Sequence, residues 1–253
     1  MINRIGKWFD YLSYLLYSTN RHGVHSPFVY EFVDKVLYNS APSKNEFLEY
    51  QRTLMVQSKS IGYDGVSLSE YVNTYTLPSK YCELLQRIVL FYNIKLVNEI
   101  GPSTGLEYNY IRYLSSTDLA PNLKLFSTDK LEPYTSLFNK SQKEFDKVFS
   151  QKTDHEEALD GEHFASGSPI KKLLLFHRLD RDSDFWNSLD RELLDSTNQD
   201  FFVFTHPYHN ETSRLNWQRI VNQPDFHVTI DCFYLGIAIK RTQQVKEHFQ
   251  LRY

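Results

Sequence analysis

Short apolar runs alternate with segments of helical apolar spacing along most of the chain after Pro78. Short apolar, partly β-branched runs favour buried strands, whereas apolar residues recurring at intervals of three and four favour helices. The predicted strands are residues 95–100, 123–128, 145–150, 172–176, 200–205, 226–232 and 235–240. The helices predicted around them are residues 79–92, 106–114, 184–194 and 211–221.

This alternation also predicts how the strands pair. Strands that are separated by a helix usually run parallel in one sheet. The last two strands have too few residues between them for a crossover helix, so they must pair antiparallel. The sequence therefore predicts an α/β, Rossmann-like fold, with a mostly parallel seven-stranded sheet, helices on both faces and a C-terminal antiparallel hairpin. Residues 1–77 form a helical extension before this sheet domain, which covers residues 78–253.

The first predicted helix carries apolar residues along one side. Asp10 interrupts the apolar run and no small-residue cleavage site follows, so neither a signal peptide nor a membrane span is expected. We expect the helix to dock on the core or on a second copy, as a homodimer through the N-terminal helices. Arg4 and Lys7 leave a membrane-surface helix as the alternative. The stripe consists of Ile5, Trp8, Phe9, Leu12, Leu15 and Leu16.

Residues 20–28, Asn-Arg-His-Gly-Val-His-Ser-Pro-Phe, carry both helix-ending and helix-starting signals. Asparagine and glycine suit a helix exit, and serine before proline suits the cap and first position of a new helix. Structure alone does not require Arg21, His22 and His25 within so few residues. Two histidines without a third ligand make a poor metal site, so we predict a hydrogen-bonding or anion-contacting corner.

Composition restricts the classes of protein to consider. The 253 residues, 41% of them hydrophobic, can bury one α/β core. A net charge of −3 gives no basic surface overall, so nucleic acid is not expected as an obligatory partner. Cys82 and Cys232 lie far apart in unrelated contexts, which argues against a disulfide framework or a cysteine zinc site and favours the cytoplasm.

The strand at 95–100 ends in Glu99 and Ile100 and continues into Gly-Pro-Ser-Thr-Gly at residues 101–105. Gly101 permits a sharp turn and Gly105 lets the next helix pack closely, so the loop could cradle a ligand at a helix N-terminus. A turn between a strand and a helix also needs glycine when nothing binds there. The loop lacks the third glycine of a dinucleotide fingerprint and the Gly-Lys-Ser/Thr of a P-loop, so a phosphate-free ligand is predicted.

An irregular stretch is predicted at residues 60–77, where Gly62 and Gly65 precede Pro78. It separates the N-terminal helices from the sheet domain. Such a stretch could lie as a lid over the loop at Gly101, or it could be only a linker.

These features together resemble the class I S-adenosylmethionine-dependent methyltransferases. The resemblance rests on the strand–Glu-x-Gly-Pro-Ser-Thr-Gly–helix unit, an acid after the second strand and the terminal hairpin. The motif at 20–28, Ser-Lys-Tyr at 79–81 and the closing residues 229–231 and 246–249 are similar to a bacterial group of O-methyltransferase-like proteins. The resemblance covers nearly the whole chain and implies the same fold for residues 78–253.

The resemblance also implies where S-adenosylmethionine would bind. The methionine moiety would lie against Glu99, Gly101, Ser103 and Gly105. An acid after the second strand would accept hydrogen bonds from the ribose hydroxyls, with Asp129 as the nearer candidate and Glu132 as the second. Asp129 could instead be an ordinary loop-opening turn residue.

The chain departs from its apparent relatives where they carry acids after the fourth and fifth strands. Here the segments read Leu-Leu-Phe-His-Arg at 174–178 and Val-Phe-Thr-His-Pro-Tyr-His at 203–209. A catechol-type divalent metal site would need oxygen ligands there, so no such metal is predicted. His177, His206 and His209 could instead provide a general base or an imidazole cluster for a metal.

Two hypotheses about function follow. The first is an enzyme that transfers a methyl group from S-adenosylmethionine to an oxygen or nitrogen of an unidentified acceptor, with His206 or His177 as proton acceptor. The second is a catalytically inactive binding or scaffold protein on the same fold. Tyrosine and phenylalanine, 18 of each, are numerous enough to line either a substrate pocket or an interface.

Overall fold

The structure is a computed structural model that describes residues 2–39, 46–57, 67–116, 123–127, 170–180 and 182–253. The predicted strand at 145–150 lies outside the described residues. Asp129 and Glu132, the two candidates for the ribose, lie outside them as well.

From Ser79 to Ile239, the described helices and strands follow the predicted order. The α-helices are α1 (Ile2–Tyr17), α2 (Pro27–Phe32), α3 (Glu46–Gln57), α4 (Leu68–Tyr75), α5 (Ser79–Phe91), α6 (Leu106–Ser116), α7 (Asp182–Leu194) and α8 (Glu211–Asn222). A 3-10 turn spans Arg21–Gly23, and α2 continues as a π-helical turn, Val33–Leu37. The strands are β1 (Leu96–Ile100), β2 (Lys124–Ser127), β3 (Lys172–Phe176), β4 (Phe201–Thr205), β5 (Val228–Asp231), β6 (Leu235–Ile239) and β7 (Glu247–Gln250).

The described strands form one seven-stranded, mostly parallel sheet in the order β2-β1-β3-β4-β6-β5-β7. β1 pairs in parallel with β2 and β3, and β3 pairs in parallel with β4. β6 is antiparallel to both β4 and β5, which confirms the predicted α/β fold with its C-terminal antiparallel hairpin.

The sheet has one described strand that the apolar pattern did not predict. β7 pairs in parallel with β5 at the edge of the sheet. Its sequence, Glu-His-Phe-Gln, is short, polar and only partly buried. An edge strand packs on fewer neighbours than a central one, so its hydrophobic signal is weak.

The central strands bury side chains on both faces of the sheet, as parallel strands covered by helices do. In β3, Leu173 and Leu175 pack into one apolar cluster, while Leu174 and Phe176 pack into another. The first cluster also includes Phe32 and Leu48 of the N-terminal extension. The helices of that extension therefore contribute to the core of the sheet domain.

Helix α1 docks on the sheet domain through a different side from the predicted stripe. Tyr14 is buried, and its hydroxyl donates hydrogen bonds to the backbone oxygens of Asp231 and Leu251. Trp8, Phe9 and Leu16 of the stripe are 61%, 64% and 82% exposed. These three residues do not dock on the core, because aromatic contacts of Tyr11 and Tyr14 with Phe233 hold the helix there, and docking on a second copy stays a prediction.

The motif at residues 20–28 starts α2 as predicted, but α1 ends earlier than its exit signals indicated, at Tyr17, and Asn20 caps the 3-10 turn instead. The Asn20 side chain accepts a hydrogen bond from the His22 amide, and Ser26 caps α2 by accepting from Val29. Pro27 occupies the first turn of α2. Arg21 contacts an acid of the chain itself, since its guanidinium lies 2.9 Å from the Asp34 carboxylate.

Part of the predicted irregular stretch at 60–77 is a helix. α4 begins after Ser67, whose side chain accepts a hydrogen bond from the Glu70 amide. Leu68, Tyr71 and Val72 are buried and pack with Leu106 of α6. The prediction of an irregular segment is therefore wrong for Leu68–Tyr75, a helix too short to show a strong periodic pattern.

Candidate functional site

The loop that follows β1 is shaped by two glycines with left-handed backbone angles. Gly101 has φ +88° and Gly105 has φ +76°. Ile100 pairs with Phe176, so Gly101 lies beside His177, the first residue after β3. A Cβ on Gly101 would lie 2.9 Å from the His177 carbonyl oxygen, closer than real Cβ atoms come. Gly101 is therefore required by the close approach of two strand ends.

Glu99 lies at the centre of a buried hydrogen-bond network at the carboxyl ends of β1 and β3. Its Oε1 accepts a hydrogen bond of 2.7 Å from Ser103 Oγ and lies 3.0 Å from His177 Nε2. Ser103 Oγ in turn accepts a hydrogen bond of 2.8 Å from the Gly105 amide. The structure thus brings together Glu99, Gly101, Ser103 and Gly105, the predicted contacts of the methionine moiety, with His177.

A second carboxylate, Glu107 of α6, belongs to this network and was missed by the sequence analysis. Its Oε1 accepts a hydrogen bond of 2.6 Å from the Leu77 amide. The donor atoms of Glu99, Glu107 and His177 all lie within 4.8 Å of one another, and all three residues are buried. The signal was present in the sequence, because Glu107 shares a helical stripe with Ile111 and Leu114 and is thus an acid at a core position.

The charges of this buried cluster depend on one another. Burial opposes the charged imidazole, but the hydrogen bond and charge of Glu99, with the charge of Glu107, raise the pKa of His177 above its ordinary value. Burial raises the pKa of Glu107, against the opposing effects of His177 and the Leu77 amide. These interactions favour the charged imidazole of His177 beside Glu99, while burial disfavours the charged form of Glu107.

Helix α4 covers the glycine loop. The Tyr71 hydroxyl donates a hydrogen bond of 2.7 Å to the Pro102 carbonyl oxygen, and the Thr76 and Thr104 hydroxyls lie 3.2 Å apart. The Thr104 hydroxyl also accepts a hydrogen bond from the Leu106 amide at the start of α6. Ser103 and Thr104 are buried as a result. The loop therefore lies beneath the N-terminal extension, in contact with the segment predicted as a lid or a linker.

Arg178, which follows β3, contacts α4 through its side chain. Its guanidinium donates hydrogen bonds of 2.8 and 3.2 Å to the two carboxylate oxygens of Asp180. The same guanidinium lies over the ring of Tyr75 in α4, 4.1 Å from the ring centre. Arg178 has φ +60°, a conformation uncommon for residues other than glycine, at the carboxyl edge of the sheet.

His206 and His209 follow β4 at the same edge of the sheet. His206 is buried with φ +54°, and its amide donates a hydrogen bond of 2.9 Å to the Tyr234 carbonyl oxygen. The ring of His209 lies 4.7 Å from the ring of Tyr75. Among the described residues, His177, His206 and His209 do not come close enough together to bind one metal ion as the predicted imidazole cluster. His177 pairs with carboxylates instead.

An imidazole and two carboxylates also form a donor set that a divalent transition metal accepts. Glu99, Glu107 and His177 are the residues that could hold such an ion, with their donor atoms within 4.8 Å of one another. The sequence analysis did not group these residues because they come from β1, α6 and the end of β3.

A further buried carboxylate, Asp231, lies at the end of β5. It accepts hydrogen bonds from Trp217 Nε1 at 3.2 Å, from the Phe233 amide at 2.8 Å and from the Tyr208 hydroxyl. Burial raises the pKa of Asp231 to about 6, although these hydrogen bonds oppose the change. Asp231 therefore fixes the β5–β6 turn on α8 rather than joining Glu99.

Comparison with models of known protein families and with curated proteins finds no match to this chain. None of the helices in the described ranges combines the length and the apolar character that crossing a membrane requires.

Proposed function

We propose that this protein binds S-adenosylmethionine against Glu99 and the loop at residues 101–105, and transfers its methyl group to an oxygen or nitrogen nucleophile. The observation that carries the proposal is the placement of Glu99. Its buried carboxylate ends a parallel strand and is followed by the left-handed turn at Gly101 and by α6. Ligands of open α/β sheets bind at this edge.

The charge of the cluster favours a cationic ligand. Glu99 and Glu107 are two buried carboxylates beside one imidazole, and burial raises the pKa of Glu107. S-adenosylmethionine carries a sulfonium and an ammonium group, which would compensate the second carboxylate and let it ionise. A phosphate group would not provide this compensation, in accord with the absence of a phosphate-binding fingerprint.

We assign the proton-accepting role to His206 rather than His177. Glu99 raises the pKa of His177 against the opposing effect of burial, which favours the charged imidazole as the counter-ion of Glu99. His206 follows the carboxyl end of β4, the edge at which the ligand would lie. Methyl transfer would then need alignment of nucleophile, methyl carbon and sulfur, with His206 taking the proton. Asp129, or else Glu132, remains the candidate for the ribose.

A second function is favoured by one observation. The polar groups of the glycine loop already have partners within the chain, since Ser103 accepts from Gly105 and Tyr71 donates to Pro102. A cofactor that used these groups would have to displace them. This arrangement favours a protein that keeps the methyltransferase-like fold as a binding or scaffold module.

Calorimetry with S-adenosylmethionine and S-adenosylhomocysteine distinguishes the two functions. The methyltransferase proposal expects saturable 1:1 binding of both compounds to the full chain. Binding of neither, by a sample whose thermal unfolding is cooperative, would overturn it and favour the scaffold function. A screen of hydroxyl and amine acceptors with labelled S-adenosylmethionine then identifies the substrate class.

We also propose that the protein is cytoplasmic and forms a homodimer through α1. Both cysteines, Cys82 and Cys232, are buried free thiols, as a reducing compartment allows. Trp8, Phe9 and Leu16 leave a largely exposed apolar side on α1, which a second copy of the same helix would cover.

A further inference from the structure

A cavity of about 800 Å³ lies at the opposite edge of the sheet from Glu99. It opens beside the first residues of β3 and β4, where Lys171 and Phe201 line it, and beside the end of β6 at Ile239. A cavity of this size is large enough for a small organic ligand. We call it the amino-edge cavity.

One wall of the amino-edge cavity is aromatic. The ring of Tyr92 lies 5.8 Å from Phe28, 5.0 Å from Phe91 and 4.5 Å from Phe201. Phe28 is the last residue of the motif at 20–28, and it lines the cavity at the start of α2. Such a wall favours planar rings, which stack or pack edge-on against aromatic side chains.

Two cationic side chains, Lys171 and Arg241, line the same cavity. Among the described residues, neither has a carboxylate within ion-pair distance. Glu31 is the acid that lines the cavity, so the formal charge of these three side chains is positive. The cavity is therefore suited to a ligand that carries one negative charge.

The Arg241 side chain is held in place by the motif at residues 20–28. Its guanidinium lies 4.1 Å from the centre of the Phe28 ring, and its Nε donates a hydrogen bond of 3.1 Å to Gln244. Gln244 in turn donates a hydrogen bond of 2.7 Å to Ser26 Oγ, the cap of α2. Because Nε is used in this way, the terminal nitrogens of the guanidinium are the ones that would bind an anion.

Tyr92 contributes a polar group that the described part of the chain does not satisfy. Its hydroxyl is buried and has no hydrogen-bond partner there, although the residue lines the cavity. An unsatisfied buried hydroxyl costs free energy, and such a group requires an explanation. Because the hydroxyl oxygen has almost no accessible surface, a ligand in the cavity would contact the ring of Tyr92 and not this oxygen.

We propose that the amino-edge cavity is a binding site for an aromatic monoanion, a planar ring system bearing one carboxylate, sulfonate or similar acidic group. The rings pack against Phe28, Phe91 and Tyr92, and the acidic group pairs with Arg241 and Lys171.

This site is separate from the proposed cofactor site. The strands between the two edges are about five residues long, which corresponds to roughly 17 Å. A ligand in the cavity is therefore too far from Glu99 to receive a methyl group there. It would act as a second ligand, and its binding does not depend on S-adenosylmethionine.

The test uses two fluorescent probes with the full chain. Anilinonaphthalene sulfonate is an aromatic monoanion, and phenylnaphthylamine has the same rings without the sulfonate. We expect 1:1 binding of the sulfonate dye, weakened about tenfold or more in Arg241→Gln and in Lys171→Gln, with smaller changes for the neutral dye.

Arg219→Gln is the matched control, because Arg219 lies over the Trp186 ring at the same distance of 4.1 Å but does not line the cavity. It should leave the affinity for the sulfonate dye unchanged. Three outcomes would overturn the proposal. The affinity for the sulfonate dye could fall equally in Arg219→Gln and Arg241→Gln, or Arg241→Gln could lose affinity for both dyes equally. The wild-type protein could also show no saturable binding. A titration of Arg241→Gln with S-adenosylmethionine separates a failure of this proposal from a failure of the proposed function. The variant should bind S-adenosylmethionine with the affinity of the wild-type protein.

Discussion

The Glu99 carboxylate and the His177 imidazole lie 3.0 Å apart, with side chains only 2% and 3% exposed, where β1 and β3 end side by side. Glu99 belongs to the unit of strand and glycine loop, and His177 is the first residue after β3. The pair links the two parts of the predicted site, the glycine loop after β1 and the residues after β3. In this pair His177 acts as the counter-ion of Glu99.

The first prediction concerns the stability of this pair. Glu99→Gln and His177→Gln should each lower the free energy of unfolding by about 3 kcal/mol, because each leaves a buried partner uncompensated. The double variant should lose less than the sum, with a coupling of about 1–3 kcal/mol. Urea unfolding measures all three.

Glu211→Gln provides the control for the pair. Glu211 lies 3.9 Å from Arg214 in an exposed ion pair, and its removal should change the free energy of unfolding by less than about 0.5 kcal/mol. Additive losses in the Glu99 and His177 variants would show that the two side chains do not interact in solution.

The second prediction concerns Gly101. Gly101→Ala should lower the free energy of unfolding by about 2 kcal/mol or more, since φ is +88° and the new Cβ would meet the His177 carbonyl oxygen. Gly101→Asn tolerates the backbone angle better but keeps the same close contact, so it should also be destabilised. Wild-type melting temperatures for both would contradict the described approach of the two strand ends. Loss of cofactor binding in a Gly101 variant therefore cannot be attributed to lost ligand contacts alone.

The sequence was sufficient for those parts of the fold that have strong local patterns. β3 was predicted at its observed bounds because its Leu-Leu-Leu-Phe run is buried on both faces. α4 was missed because a helix of two turns shows little periodicity, and β7 because a polar edge strand resembles a loop. Each of these errors involves an element stabilised mainly by tertiary contacts.

In the candidate site, too, the residues of a local motif could be predicted from the sequence, and those brought together by tertiary contacts could not. Glu99, Gly101, Ser103 and Gly105 are close in sequence, so a local motif could identify them together. Glu107 could be found only by noticing an acid on an apolar stripe, and its approach to His177 depends on how α6 crosses the sheet. Pairing between elements far apart in the chain is not encoded in any short motif.

The third prediction is a pH dependence that arises from Asp231. Burial raises its pKa from 3.8 to about 6, so the folded chain binds this proton more tightly than the unfolded chain. The free energy of unfolding should therefore fall as the pH rises from about 4 to about 6, by about 3 kcal/mol from this group. Urea unfolding of the wild type and Asp231→Asn across this range measures the difference.

The readout is the slope with pH rather than the stability itself, because Asp231→Asn also disturbs the donors Trp217, Tyr208 and Phe233. The wild-type curve minus the variant curve should fall over this range. A flat difference would mean that the Asp231 carboxyl titrates at its ordinary pKa.

The fourth prediction concerns the exposed side of α1. If two copies pair through this helix, Trp8→Ser or Leu16→Ser should weaken the dimer by about tenfold or more in sedimentation equilibrium. Val245 is 80% exposed and is not part of α1, so Val245→Ser serves as the apolar control and should not change association. A wild-type chain that sediments as a monomer at high concentration would refute the dimer.

The last prediction tests whether the charge of Glu107 contributes to cofactor binding, with a substitution that replaces one terminal atom of the side chain. Glu107→Gln keeps the Oε1 that accepts from the Leu77 amide but removes the charge that a bound cation would compensate. It should lower the affinity for S-adenosylmethionine by about tenfold and the affinity for S-adenosylhomocysteine by much less, because the product has lost the sulfonium charge. Calorimetry on the same protein preparations gives both affinities. Equal changes for the two compounds would show that Glu107 does not interact with the sulfonium, and would leave Glu99 as the one carboxylate able to do so within the described cluster.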